Sequence, residues 1–70
     1  GISAESLFTV AESPEWGFLA RALGQGIFVQ AESVEDLHLQ VRDAVHCHFD
    51  EADKPRLIRL HYVRDEVLAA

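Results

Sequence analysis

The sequence predicts an α+β fold of order β-β-β-α-β: a four-stranded mixed sheet, strands in the order 3-2-1-4, with one helix packed on one face. Three observations lead there. A single stretch, Ser33 to Phe49, has the length and periodicity of a helix and a marked start. Three short apolar runs bounded by turn residues precede it, and a fourth follows it. The helix is apolar on one side only, and with no second helix to receive that side it must lie on a sheet.

Gly1 to Glu5 reads as a loose end. The first strand is Leu7 to Ala11, with Phe8 and Val10 on one face and Leu7, Thr9 and Ala11 on the other. Neither face is decisively polar, so a central strand buried on both sides is expected. Glu12-Ser13-Pro14-Glu15-Trp16-Gly17 separates two apolar runs with Ser-Pro and a glycine, which marks a hairpin turn carrying Trp16 at its tip.

Gly17 to Leu23 has helix-forming residues, but flanking glycines and its short length favour a second strand. Leu23-Gly24-Gln25-Gly26 turns the chain into a third strand, Ile27 to Ala31. Gly-x-Gly followed by a strand is not a phosphate-binding fingerprint, which needs a third glycine opening a helix.

Ser33 is placed to cap the helix, with Asp36 at the position from which a capping-box acid reaches back. Glu35 and Asp36 sit at the positive end of the helix dipole. At about 100° per residue, Val34, Leu37, Val41, Ala44, Val45 and His48 share one side. Asp50 to Pro55 is a polar connection in which Pro55 forbids further helix.

Arg56 to Arg64 is the fourth strand, with Ile58, Leu60 and Tyr62 on its core face and Leu57, Arg59, His61 and Val63 on the other. Val67 and Leu68 extend that strand or dock on a neighbouring subunit. A right-handed crossover through the helix returns this strand beside the first and parallel to it, which fixes the order 3-2-1-4.

Seventy residues make one domain, and a domain of this size buries only about 60% of its unfolded-chain surface. A single cysteine excludes an internal disulfide, so a homodimer or higher homo-oligomer is the expected support. The uncovered sheet face, carrying apolar residues, points the same way. With no signal peptide and no run long enough to span a bilayer, the expected compartment is the cytoplasm. Twelve Asp and Glu against six Lys and Arg give a net charge of −6, which favours basic partners and argues against direct nucleic-acid binding.

No residue pattern predicts catalysis, a metal or a cofactor. His46 and His48 are two apart on a helix and point about 200° from each other, so they do not close on one ion. Cys47 has no base or electropositive pocket in prospect to make a thiolate. Glu12, Glu35, Asp43 and Asp65 are scattered, and the first strand has no acid. Arg56, Arg59 and Arg64 fall in or beside the last strand, where Arg59 and His61 share a face.

Taken together, F-T-V-A-E-S (Phe8 to Ser13), G-F-L-A-R-A-L-G-Q-G-I-F-V-Q (Gly17 to Gln30), A-E-S-V-E-D-L (Ala31 to Leu37) and the terminal strand resemble the HicB-like antitoxin family. The resemblance covers most of the chain. It implies a truncated RNase H-like topology without catalytic acids, and a domain that binds and blocks HicA, a small basic RNase. Two features depart from that family. The usual proline-containing loop is replaced by Leu23-Gly24-Gln25-Gly26, and no DNA-binding segment is expected after the last strand. The expectation is a single HicB-like domain over residues 1–70.

The function so predicted is non-enzymatic. An acidic protein neutralises a small basic HicA-type RNase by occluding its active or RNA-binding surface, through charge complementarity. The contact candidates are Glu12, Glu15 and Trp16 at the hairpin tip and Arg59 and His61 on the last strand. The alternative is a stand-alone oligomerisation or small-ligand module built on the uncovered sheet face.

Overall fold

A computed structural model describes residues 5–22 and 24–70. The element order is β1 (Glu5–Ser13), β2 (Gly17–Ala22), β3 (Phe28–Ala31), α1 (Val34–His48) and β4 (Leu57–Val63). The four strands form one sheet in the order β3-β2-β1-β4. β1 pairs antiparallel with β2 and parallel with β4, and β2 pairs antiparallel with β3. This is the α+β architecture that the strand runs and the crossover rule predict.

The helix starts where its chemistry says. Ser33 is the N-cap, and its Oγ accepts from the Asp36 backbone N–H at 3.1 Å. The Asp36 carboxylate does not close the box; it accepts instead from Gln40 Nε2 at 2.9 Å, one turn on. Phe49 ends the helix, its N–H donating to the Val45 carbonyl at 3.1 Å.

Leu37, Val41 and Val45 are the buried helix residues. They meet Phe8 and Val10 of β1, Ala20 and Ala22 of β2, and Val29 and Ala31 of β3, with Ile27 completing the core. Small residues at Ala20, Ala22 and Ala31 leave room for the larger Leu37 and Phe8, so the layers interdigitate. Val34 and His48, expected on the apolar side, are exposed because they lie at the two ends of α1, beyond the sheet it covers.

Several boundaries move. β1 extends from Glu5 to Ser13, so Glu5 belongs to the sheet, and the tip turn shrinks to Pro14–Trp16. β3 begins at Phe28, with Ile27 buried before it, and Leu23 lies outside the described residues, as do residues 1–4. Val67 and Leu68 add no strand and are 93% and 79% exposed. β1 is central in the sheet but buried on one face only: Phe8 and Val10 are fully covered, while Leu7 and Ala11 face away from the helix and are exposed.

Gly17 lies where the hairpin backbone comes close to the end of β3. Its φ is +91°, and a Cβ there would overlap the Ala31 carbonyl oxygen and sit 3.0 Å from the Glu32 Cα. The end of β3 therefore packs directly on the β1–β2 hairpin. This brings the start of the β3–α1 connection to the hairpin tip.

Candidate functional site

At that tip, Glu12, Ser13, Pro14, Glu15, Trp16 and Gly17 on the hairpin meet Phe18 and Glu32 around an open groove of about 390 Å³. Glu12, Glu15 and Glu32 are all exposed, and the Trp16 side chain stands 37% exposed. The turn is held by the Glu15 backbone N–H donating to Ser13 Oγ at 3.3 Å. An exposed indole beside three carboxylates is suited to a cationic side chain, which gains from the ring face and from the negative field together. Glu32 is the member that sequence reasoning missed. It lies 16 residues beyond Trp16, and the pairing of Phe18 with Ala31 across β2 and β3 brings it to the tip.

Arg59 and His61 do not join this patch. Both project from β4 onto the sheet face that carries no helix, opposite Leu7 and Thr9 of β1. The Leu7 and Thr9 levels lie six and four residues from Ser13 along β1, about 20 and 13 Å at the strand rise. The five predicted contact residues therefore divide between two surfaces, the tip and the open face.

The register lays the open face out in cross-strand rows. Phe28, Arg21, Thr9 and His61 form one, and Gln30, Leu19, Ala11 and Val63 the next. Leu7 beside Arg59, then Glu5 beside Leu57, complete it. Leu7, Phe28, Leu57 and Val63 are between 40% and 62% exposed there. The face is apolar with a basic row, in a chain whose overall charge is −6.

Arg59 already has a partner on this face. Its guanidinium grips the Glu5 carboxylate with two N–H donors, Nε to Oε1 and Nη2 to Oε2, the latter at 3.2 Å. That bidentate hydrogen bond holds the Glu5 carboxyl below its ordinary value, reinforced by the nearby positive charge, and raises Arg59 correspondingly. His61 has no such neighbour in its row: Thr9 stands beside it on β1.

The histidine–cysteine run at the end of α1 disperses. His46 turns toward Lys54, His48 packs edge-on against Phe49 with ring centroids 4.9 Å apart, and Cys47 is exposed. Among the described residues, no three of His, Cys, Asp and Glu converge as metal ligands. No helix among them is long and apolar enough to cross a membrane.

Comparison with known proteins gives two relatives that span nearly the whole fold. The chain is 44% identical over 57 residues to a UPF0150 protein of Archaeoglobus fulgidus, covering 81% of this chain and 86% of the relative. The chain belongs to the UPF0150 family. A UPF0150 protein of Thermotoga maritima is 34% identical over 65 residues, covering 93% of this chain and 91% of that one. No family model matches the sequence, and no solved structure matches it.

Proposed function

We propose that this UPF0150 chain is an antitoxin-like binding protein of HicB type, which neutralises a small basic HicA-type RNase in the cytoplasm by occluding its active or RNA-binding surface. The observation that carries this reading is the acidic aromatic groove at the hairpin tip. Glu12, Glu15 and Glu32 flank an exposed Trp16, and the chain's charge of −6 steers a basic protein toward it. An Arg or Lys of the partner enters the groove, stacks on the indole and is neutralised by the carboxylates. Inhibition is by coverage, and no bond is made or broken.

Trp16→Ala combined with Glu15→Lys tests the contact. Loss of an interface anchor costs roughly 2 kcal/mol or more, so the double variant weakens partner affinity at least about thirtyfold. Both residues are exposed in a turn, so circular dichroism of the variant stays as it is in the parent. Unchanged affinity refutes the tip contact.

A second observation supports self-association. The open face leaves Leu7, Phe28, Leu57 and Val63 uncovered, and a small domain gains most from covering such a surface with its own copy. The chain is then a homodimer through this face, and the tip stays free for the partner. Leu57→Glu places a carboxylate in that interface and shifts sedimentation to the monomer; a parent that sediments as a monomer at high micromolar concentration refutes it.

A further inference from the structure

We infer that the cleft between the second half of α1 and the α1–β4 connection is a binding site for a small phosphate-bearing molecule of nucleotide size. The inference is independent of the partner-protein reading. It rests on where this acidic chain gathers its scarce cations. The whole sequence has six Lys and Arg, and three of them, Arg42, Lys54 and Arg56, line this one cleft together with His46. The residues come from three places in the chain. Arg42 and His46 are one turn apart on α1, Lys54 is in the connection, and Arg56 immediately precedes β4.

The connection is anchored to make this possible. Pro55 is buried, and its fixed φ turns the chain from the loop into β4 with Lys54 on one side and Arg56 on the other. Lys54 Nζ lies 3.4 Å from His46 Nδ1. The two side chains thus converge on the cleft, where the lysine ammonium brings N–H donors for an anion. Glu51 is the one carboxylate among the lining residues. It stands 3.5 Å from Lys54 Nζ with its own side chain 91% exposed, a loose pair that an incoming anion displaces.

The cleft suits a phosphorylated organic molecule better than a bare ion. Its volume, about 840 Å³, falls in the range of small-molecule sites, which run to about 1,000 Å³. Val45, Pro55 and Ile58 add apolar wall to the charged one. Two guanidinium groups offer forked donors matched to phosphate oxygens, and the lysine supplies a point charge. Arg21, an exposed arginine on the open sheet face, has no part in the cleft.

The test uses the full chain and two probes, inorganic pyrophosphate and ATP, followed by two-dimensional amide NMR at 150 mM salt. The expected result is saturable shifts confined to residues 42–58, a Kd below about 1 mM for ATP, tighter than for pyrophosphate, and at least tenfold weaker binding in Arg42→Gln/Arg56→Gln. Arg21→Gln binds as the parent does. Both cleft arginines are exposed, so the double variant keeps the parent's dispersed spectrum and its binding is read directly. Absence of saturation by 10 mM of either probe overturns the inference, as do shifts spread over the surface or equal weakening in Arg21→Gln.

Discussion

Gly17→Ala is the substitution whose cost the fold determines most sharply. Two terms add. A residue with a Cβ held at φ +91° gives up about 1–2 kcal/mol relative to glycine. The added methyl also overlaps the Ala31 carbonyl oxygen and presses on the Glu32 Cα at 3.0 Å. Both neighbours are backbone and cannot rotate away, so the end of β3 must retreat from the hairpin. That movement strains or breaks the ladder where Phe18 faces Ala31, at about 1 kcal/mol per hydrogen bond lost. The sum is about 2–4 kcal/mol, against roughly 4–10 kcal/mol expected for the whole of a domain this size.

Gly24→Ala separates the two terms. Gly24 has a similar φ of +85°, but a Cβ there meets nothing within 4 Å, so only the conformational term applies. Thermal unfolding followed by far-ultraviolet circular dichroism is the assay. One kcal/mol moves the midpoint of a domain this small by about 4–8 °C. Gly17→Ala therefore melts about 10–25 °C below the parent, and Gly24→Ala about 5–10 °C below it. Equal losses in the two variants refute the close contact of Gly17 with the end of β3.

Two further predictions address polar groups. Ser6 Oγ is buried with no hydrogen-bond partner among the described residues, so Ser6→Ala removes a desolvated hydroxyl and leaves stability unchanged or raised by up to about 1 kcal/mol; a loss beyond that in urea unfolding contradicts the burial. Arg59→Gln removes the guanidinium that lowers the Glu5 carboxyl, whose titration midpoint by NMR therefore rises. Because the folded-state pKa is the depressed one, the pair's contribution is present above the unfolded value and is lost as pH falls through the folded value. Parent and variant therefore differ in stability at neutral pH and converge in acid; an unmoved Glu5 midpoint contradicts the pair.

Much of the fold is legible in the sequence because it depends on local chemistry. The Ser33 cap, the stop at Phe49 before Pro55, and the turn at Pro14 each follow from one or two residues, and the sheet order follows from the handedness of a single crossover. What local pattern does not carry is where the helix lies across the sheet. α1 packs on β3 and β2, so the core face of β4 is only partly covered: Ile58 and Leu60 are half-buried, and Tyr62 remains 44% exposed against the edge of Phe18. Alternation in β4 shows two faces and is silent on how well each is covered.

The surfaces were less legible for the same reason. Arg56 and Arg59 read as members of one basic strand, yet Arg56 turns into the cleft beside α1 while Arg59 pairs with Glu5 on the opposite face. Glu5 looks like part of a frayed end until the parallel register sets it in the sheet near Arg59. Contacts between residues 54 apart leave no mark in any short window of sequence.

The most direct test of the proposed function is stoichiometric inhibition. The tagged chain is used to recover any small basic protein that binds it from the source organism, and RNA cleavage by that purified protein is measured as the chain is titrated in. Cleavage is expected to fall to zero at a fixed whole-number ratio, with Trp16→Ala/Glu15→Lys shifting the titration to much higher concentration. Cleavage that persists at saturating chain, or a recovered partner with no RNase activity, contradicts the proposed function.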